Sequence, residues 1–317
     1  MTIATSKIEY QDLIWDRHLV HNKYSSVYLA QNKRKDEIYI IKVMFNFKKD
    51  LTRQKRYKRE IKINSTLTHN NIVKYYGHFV FFNRSLLVTE YMIGGDIREH
   101  QIKAKDLRLE EKVLKNYIKQ ILSALKYIHQ HNIIHRDVKP ENMLLSADLK
   151  TVKLCDFGLS IKKNTGAVIN DAVGTTMYLA PEVVKGYNYG FEVDIWSLAV
   201  CMFEFSIGNY AFDGDTVYET FDAIKNIEYI PEMPKYEFFL KPQLKSINFN
   251  SRGSENKKLN KEKHLIFDPY DKKVKLPIDM EHTSPILWNL VDNLLRGKKY
   301  KTLSINDILK HKWFENT

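Results

Sequence analysis

Two short segments near the middle of the chain hold the side chains best suited to chemistry. The first, HRDVKPEN, contains Asp137, Lys139 and Asn142, and the second, CDFG, contains Asp156. Carboxylate and amide oxygens are ligands that Mg²⁺ takes beside bound phosphates, and a lysine can neutralise a phosphate oxygen. Side chains of these types could hold a phosphate group and its Mg²⁺, which is the chemistry of phosphoryl transfer.

A third motif supports this interpretation, because APE at residues 180–182 follows the other two in order. One such tripeptide occurs by chance, whereas three at these spacings are highly specific. On these motifs the chain resembles the eukaryotic Ser/Thr protein kinases. The resemblance implies ATP and Mg²⁺ as cofactors. It assigns Asp137 to the substrate hydroxyl and Lys139 to the transferring phosphate, and it assigns Asn142 and Asp156 to the metal. It also assigns Lys42 to the α and β phosphates and Glu60 to the ion pair that holds Lys42. Taken alone, Lys42 or Glu60 would be interpreted as part of an ordinary surface ion pair.

The elements that must position these residues fall into two groups. Residues 10–95 alternate short β-rich runs with one helical stretch, LTRQKRYKREIKINSTL. From residue 110 onward long amphipathic helices dominate, beginning with EEKVLKNYIKQILSALKYIHQHN. Gly94 and Gly95 mark the change, and we interpret them as a hinge.

The resemblance implies the bilobal protein-kinase fold, of α+β class, as one domain over about residues 10–315. A small antiparallel β lobe with one main helix would cover about 10–92, and a larger, mainly α-helical lobe about 96–315. Within the second lobe, the stretch at about 235–283 is rich in Asn, Lys and Ser and shows no periodicity. We interpret that stretch as an inserted flexible loop.

The resemblance also implies where the nucleotide binds. Apolar side chains would sandwich the adenine, and the backbone of Glu90, Tyr91 and Met92 would pair with its edge, next to Thr89 at the gatekeeper position. Each apolar side chain is equally consistent with a plain core residue, so the assignment depends on register with Lys42. Beyond Lys42 and Asp156, the implied nucleotide contacts are Leu19, Val20, Val27, Ile40, Thr89, Glu90, Met92, Asp96 and Leu144.

The phosphate-binding loop of such kinases carries three glycines, and the corresponding stretch here, LVHNKYSSVYLA, carries none. Val20, Asn22 and Ser25 stand at the glycine positions. Main-chain N–H groups do most of the phosphate binding, and these residues keep them. Losing glycine costs on the order of 1 kcal/mol where positive φ is required. We expect a weakened nucleotide clamp on a working enzyme; the alternative is a pseudokinase scaffold that binds partners with little or no turnover.

The activation segment departs from the family pattern as well. Asp171 stands where related kinases carry a phosphorylatable Thr or Ser. Its single negative charge is smaller than that of a phosphate, and we hypothesise that it pairs with Arg136 as a fixed substitute for the switch. The alternative is an ordinary loop aspartate in solvent. Thr175 matches the position that would bridge Asp137 and Lys139.

Three acidic residues, Asp96, Glu141 and Glu204, match positions that receive basic residues upstream of the phosphoacceptor in basophilic kinases. Such a cluster of carboxylates in a chain of net charge +12 would favour protein substrates with Arg or Lys near the target Ser or Thr. Asp96 would alternatively bind the nucleotide ribose, and Glu141 occurs in many kinases with other preferences.

Among the kinases, the stretches VYLAQNKRKDEIYIIKVMFN, NIVKYYGHF and VYETFDAIKNIEY resemble the Aurora kinases of mitosis, as does the polar residue Asn64 after Glu60. Leu159 after the DFG and Asp171 depart from the Aurora pattern, and Polo and calmodulin-dependent kinases are the alternatives. The Aurora resemblance implies a nuclear or spindle-associated enzyme of chromosome segregation, activated by a partner peptide on the small lobe. Without it, the cytoplasm is the expected location.

The composition narrows the remaining classes. The 317 residues, 44% of them apolar, can bury a sizeable core. The charge of +12 would suit nucleic acid, but no arginine–aromatic interleaving marks a stacking platform, so no dedicated nucleic-acid site is expected. Cys155 and Cys201 lie in apolar runs and support neither disulfides nor zinc, which favours an intracellular compartment. No apolar run is long enough to span a bilayer, so no membrane association is expected.

Overall fold

The computed structural model describes residues 8–21, 25–35, 37–45, 51–81, 84–226, 283–295 and 303–315. The chain divides into two compact units, the first comprising Met1–His100 and Asn116–Ala167 and the second comprising Gln101–Lys115 and Val168–Thr317. The loop predicted at 235–283 lies outside the described residues apart from Thr283.

The first unit contains a five-stranded antiparallel sheet with the strand order β1-β2-β3-β5-β4. Its strands are β1 (Leu13–His21), β2 (Ser25–Asn32), β3 (Ile38–Met44), β4 (Tyr75–Phe81) and β5 (Arg84–Glu90). In β3 every second side chain is buried, namely Tyr39, Ile41 and Val43, as the two-residue period of a strand dictates. These three side chains pack with Leu86 and Val88 of β5 and form the core on one face of the sheet.

Helix α1 (Leu51–Asn64) is the main helix of this region, and most of its residues are charged or polar. Its buried residues are Tyr57, Glu60, Ile63 and Asn64. Their spacing of three or four residues places them on one face of the helix, where Tyr57 packs against Leu87 of β5. A carboxylate on such a buried face is rare unless it is paired, so Glu60 must have a cationic partner nearby.

Two short antiparallel strand pairs carry the segments of chemical interest. Strand β6 (Ile133–Ile134) pairs with β9 (Ile161–Lys162), and β7 (Met143–Leu145) pairs with β8 (Val152–Leu154). The HRDVKPEN segment connects β6 to β7, and the CDFG segment connects β8 to β9. Since each connection begins in one strand pair and ends in the other, the two segments must run side by side.

Helices α2 (Ile97–Lys103) and α3 (Glu111–Gln130) follow the sheet in sequence. Six Leu and Ile residues of α3 are fully buried and recur at helical spacing: Leu114, Ile118, Ile121, Leu122, Leu125 and Ile128. In the described stretches, no helix combines the length and the apolar character needed to cross a membrane.

The second unit is helical in the residues that the structure describes. Its further helices are α4 (Pro181–Val184), α5 (Glu192–Ile207), α6 (Val217–Asn226), α7 (Pro285–Leu295) and α8 (Ile305–Leu309). Helix α5 is buried on all sides from Val193 onward, as expected of an interior helix. Its Phe203 meets Trp288 of α7 edge to face, with ring centroids 5.8 Å apart. The predicted α+β class, with an antiparallel sheet, one main helix beside it and separate helical regions, is confirmed.

Candidate active site

Three charged side chains of the first unit converge beside the sheet. Lys42 extends from β3, Glu60 from α1 and Asp156 from the CDFG segment. The Nζ atom of Lys42 lies 3.0 Å from Oε1 of Glu60 and 3.0 Å from Oδ1 of Asp156. The side chain of Glu60 is 4% exposed and that of Asp156 is 44% exposed. Lys42 therefore joins an internal carboxylate to one that can still meet a ligand.

The electrostatics of this triad keep Lys42 and Asp156 ionised. Burial alone would lower the pKa of Lys42, but the carboxylates of Asp156 and Glu60 outweigh burial and raise that pKa. The ammonium group of Lys42 lowers the pKa of Asp156 to about 2. Lys42 and Asp156 are thus charged throughout the physiological pH range, as binding to phosphate and to a metal cation requires.

A second cluster surrounds Asp137 in the HRDVKPEN segment. Its Oδ2 atom lies 3.2 Å from Nζ of Lys139 and accepts a hydrogen bond from Nδ2 of Asn142 at 3.1 Å. The same Nδ2 atom donates to the main-chain oxygen of Asp137 at 2.8 Å. Because both bonds use the amide nitrogen of Asn142, its amide oxygen is turned away from Asp137. The carboxylate is thereby held in one orientation, with a cation beside it.

Asn142 and Asp156, the two residues assigned to the metal, lie at the same end of the β7–β8 pair. The N–H of Cys155 donates to the main-chain oxygen of Asn142 at 2.9 Å. The N–H of Gly158 and the ammonium of Lys42 both bind Oδ1 of Asp156. The Asn142 amide oxygen and Oδ2 of Asp156 therefore form a donor set that fits Mg²⁺, a cation that prefers oxygen ligands.

This donor set is small. In the described part of the chain, no group of three or more His, Cys, Asp or Glu side chains could hold a metal ion by itself. Magnesium in proteins usually keeps several waters and takes one or two carboxylates together with substrate phosphates. A cation at Asn142 and Asp156 would accordingly need phosphate and water oxygens to complete its coordination.

The backbone of the HRDVKPEN and CDFG segments is strained at one residue in each. Arg136 has φ of 69° and Asp156 has φ of 59°, in the left-handed region that few non-glycine residues adopt. Hydrogen bonds support both positions. Nε of Arg136 donates to the main-chain oxygen of Leu159 at 2.7 Å, and Nε2 of the fully buried His135 lies 3.0 Å from the main-chain oxygen of Cys155. The two segments therefore hold each other in these conformations.

The side chains assigned to the adenine share one face of the sheet. Ile40 and Lys42 are two residues apart on β3, so they point the same way. Directly opposed residues of an antiparallel pair also share a face, which places Val27 beside Lys42 and Thr89 beside Ile40. All four are half-buried, as is Leu144 on β7. A half-buried apolar surface next to the Lys42 ammonium fits a nucleotide better than a closed core does.

Strand β1 leads toward the glycine-free turn. Leu19 and Val20 are 39% and 55% exposed. Val20 pairs with Val27, so the main-chain ladder of the β1–β2 hairpin continues to this point. Asn22, at the second glycine position, lies outside the described residues.

Gly94 is required by a close approach between two backbones. Its N–H donates to Leu145 at 3.0 Å, and the N–H of Leu145 donates in turn to Gly95 at 2.8 Å. A Cβ atom on Gly94 would lie 2.3 Å from the main-chain oxygen of Ser146 and 2.8 Å from that of Leu145. The segment after β5, which includes the buried Met92, is therefore fixed to β7 through a position where only glycine fits.

The side chain of Glu90 makes an ion pair that the sequence did not predict. Its two carboxylate oxygens lie 2.6 and 2.9 Å from Nζ of Lys153, and Oε2 also accepts the N–H of Lys74 at 3.0 Å. The N–H of Glu90 donates to the main-chain oxygen of Lys74 at 2.9 Å. The sequence feature that could have indicated this pair is the position of Lys153 on the short strand β8, just before Asp156.

The three acids assigned to basic substrate residues all have partners within the chain. Asp96 accepts a backbone N–H of the first turn of α2 at 2.9 Å, as an N-cap residue does. Glu141 accepts a hydrogen bond from Nε of Arg98 at 3.1 Å. In the second unit Glu204 is 2% exposed and accepts the hydroxyl of Tyr178 at 2.6 Å. The sequence indicated the acids but not these partners.

The activation-segment residues belong to the second unit. Asp171 is exposed, and the hydroxyl of Tyr189 lies 2.8 Å from its main-chain oxygen and 3.1 Å from its Oδ1. The predicted pair between Asp171 and Arg136, and the predicted bridge from Thr175 to Asp137, each join residues of different units and stay predictions.

Comparison with known proteins agrees with this geometry. A family model described as "Protein kinase domain" matches residues 17–314, a span that contains every site residue above. Aurora kinase A-A of Xenopus laevis is 36% identical over 228 residues, which are 71% of this chain and 54% of that protein. Aurora kinase of Schizosaccharomyces pombe is 39% identical over 194 residues, which are 60% of this chain and 53% of that protein. Serine/threonine-protein kinase Aurora-2 of Arabidopsis thaliana is 35% identical over 211 residues, which are 66% of this chain and 73% of that protein. The chain thus spans about half the length of the first two relatives.

Proposed function

We propose that this chain, which belongs to the protein kinase family, transfers the γ-phosphate of ATP to a Ser or Thr hydroxyl of a protein substrate. The observation that carries the proposal is the position of Lys42, 3.0 Å from both the buried Glu60 and the more exposed Asp156. A buried ion pair is a weak source of stability, because desolvation of the two charges offsets their attraction. An arrangement that leaves a second carboxylate facing outward is therefore better explained by ligand binding than by stability.

The nucleotide would bind with its adenine against the half-buried face of Val27, Ile40 and Leu144 and its phosphates next to Lys42. When bound, Mg²⁺ neutralises charge on the phosphate oxygens, and Asn142 and Asp156 are the residues that would hold it. With Val20 and Asn22 at glycine positions, we expect a raised KM for ATP rather than loss of the reaction, because main-chain N–H groups remain available.

On the acceptor side, Asp137 would orient the substrate hydroxyl and take its proton as the bond to phosphorus forms. Its carboxylate is 12% exposed and held by Asn142, so it can meet one incoming group in a fixed direction. Lys139, at 3.2 Å from the same carboxylate, is close enough to neutralise the transferred phosphoryl group. Thr175 would complete the acceptor site and favour Ser or Thr over Tyr.

The biological setting is proposed from the relatives, whose names identify them as Aurora kinases. A role in chromosome segregation, at the nucleus or spindle, is the setting that this likeness supports best. The proposed substrates are proteins with basic residues near the target Ser or Thr, read by Asp96, Glu141 and Glu204. An activating partner peptide on the sheet of the first unit belongs to the same proposal.

The test is transfer of labelled phosphate from ATP to a library of basic peptides, at millimolar ATP with Mg²⁺. Asp137→Asn removes the proposed base, and Asp222→Asn, at an aspartate of α6 whose side chain is 69% exposed, is the matched control. We expect transfer by the wild type and by the control and at least a hundredfold less by Asp137→Asn. Equal incorporation by all three, or none by any, would favour the scaffold.

A further inference from the structure

The ion pair between Arg98 and Glu141 lies within the acidic group that the sequence assigns to substrate recognition. Nε of Arg98 is 3.1 Å from Oε1 of Glu141. The Arg98 side chain is 16% exposed, whereas that of Glu141 is 42% exposed. The guanidinium is therefore the more enclosed partner, and the carboxylate lies at the surface, where an incoming peptide could reach it.

Arg98 is held in this place by the start of α2. Asp96 caps the helix by accepting the N–H of Glu99 at 2.9 Å, and its carboxylate also bonds to the backbone N–H of Arg98. Such a cap fixes the first helical turn, so the direction of the Arg98 side chain is set before any ligand binds.

The charges around Arg98 are mainly negative. Burial raises the pKa of Asp96, and the carboxylates of Glu99 and Glu141 raise it further. The carboxylates of Asp96, Glu99 and Glu141 together create a local negative field that attracts cations, although the chain as a whole is basic. Arg98 supplies a cation to that field from within the chain.

We infer that Arg98 is a specificity-determining residue that competes with a substrate's basic side chain for Glu141. This inference rests on the proposed function and names a regulation of its substrate site. A substrate arginine can bind Glu141 only by displacing the Arg98 guanidinium or by sharing the carboxylate with it, and two guanidinium groups at one carboxylate repel each other. The free energy gained from the substrate's charge is reduced in either case.

The consequence is a basic-residue preference that is weaker than the acidic residues alone would predict. A simple surface ion pair, by contrast, would contribute little and would leave the preference unaffected when removed. Competition by Arg98 and a simple surface ion pair differ in one measurable quantity, which is a ratio of two peptide affinities. The first peptide has arginines before its Ser, and the second is a matched peptide with norleucines at those positions.

The experiment measures this ratio by fluorescence anisotropy on the full chain. Arg98→Met removes the charge and keeps an unbranched side chain, Arg98→Lys keeps the charge, and Lys103→Met removes an exposed charge from the same helix. We expect the ratio to rise about fivefold in Arg98→Met, which is about 1 kcal/mol of ion pairing, and to stay within about twofold of the wild type in the other two. A ratio in Arg98→Met equal to that of the wild type would overturn the inference.

The double variant Arg98→Met/Glu141→Gln identifies the carboxylate. We expect it to lose the fivefold gain, and a gain that persists would contradict the role of Glu141. If Arg98→Met does not fold, as judged by circular dichroism, Arg98→Gln removes the same charge with a polar side chain. We expect the same rise of about fivefold in that variant, and a ratio equal to that of the wild type would overturn the inference.

Labelled phosphate transfer on the same two peptides separates this inference from the proposed function. Binding ratios that change as expected without any transfer would reject the kinase and leave the role of Arg98 standing. Transfer with an unchanged ratio would reject the role of Arg98 and leave the kinase standing.

Discussion

Gly94→Ala tests how the segment after β5 is attached to β7. The added Cβ atom would lie 2.3 and 2.8 Å from two main-chain oxygens, and main-chain atoms cannot rotate away as the end of a side chain can. Relief of the clash must stretch the hydrogen bonds at 3.0 and 2.8 Å that join Gly94 and Gly95 to Leu145. Each contributes about 1 kcal/mol, and the residual strain adds about 1 to 2 kcal/mol, so we expect about 2 to 4 kcal/mol of destabilisation.

Gly166→Ala is the control in the same unit. A Cβ atom there meets nothing within 4 Å, but φ is +76°, so only the conformational cost of about 1 kcal/mol applies. By differential scanning calorimetry, we expect Gly94→Ala to lower the Tm by about 5 to 10 °C and Gly166→Ala by about 2 to 4 °C. We also expect the KM for ATP to rise in Gly94→Ala alone. Equal Tm shifts in the two variants would refute the reasoning.

Four further predictions concern the charged contacts. Lys42 should react slowly with an amine-acylating reagent at about pH 8, because its raised pKa keeps the amine protonated, and Glu60→Gln should speed the reaction. Since that raised pKa means that the stabilisation from the Lys42 ammonium is present below the unfolded value of 10.5 and lost only above it, the contribution of that ammonium should be constant between about pH 6 and 9. Glu90→Gln should raise the KM for ATP about threefold by loosening the hinge, and Lys153→Met, which removes the other charge of the pair, should raise it by a similar factor. Asp171→Ala should lower kcat about three- to tenfold if its charge replaces a phosphate.

The predictions on Lys42 acylation and on Asp171 have controls. Acylation of Lys42 is read by mass spectrometry against the exposed Lys103, and equal rates for the two would contradict the raised pKa of Lys42. Tyr189→Phe removes the hydroxyl that contacts Asp171 and keeps the aspartate charge. If Tyr189→Phe lowers kcat as much as Asp171→Ala does, the charge is not the cause, and little loss in Asp171→Ala rejects the hypothesis outright.

Much of the fold follows from patterns visible in the sequence. The β-rich run containing Lys42 forms β3, and the helical stretch containing Glu60 forms α1. Both could be predicted because the spacing of apolar residues along the sequence differs between a strand and a helix. The helix expected from residue 110 is α3, and the stretch EVDIWSLAVCMFEFSIG forms α5 as predicted, although that helix is buried on all sides rather than amphipathic. Strand β1 has no two-residue burial period to predict it from, because every residue after Leu13 is exposed and apolar side chains occur on both of its faces.

The geometry of the site could be predicted where its residues lie together within one short motif. The cluster of Asp137, Lys139 and Asn142 lies within one short segment, so sequence spacing fixes its geometry. The partners of Glu141 and Glu90 could not be predicted, because Arg98 and Lys153 reach them across different segments of the fold. Contacts of this kind depend on tertiary placement, which the spacing along one element does not specify.

We propose separate roles for two residues, with Asp137 acting on the reacting hydroxyl and Lys42 acting on the nucleotide. These roles can be separated by measuring kcat and KM for ATP in Asp137→Asn and Lys42→Met side by side. We predict that Asp137→Asn lowers kcat at least a hundredfold with KM for ATP within about twofold of the wild type, and that Lys42→Met raises KM severalfold. An Asp137→Asn variant that keeps its kcat, or that raises KM for ATP as much as Lys42→Met does, would contradict the claim.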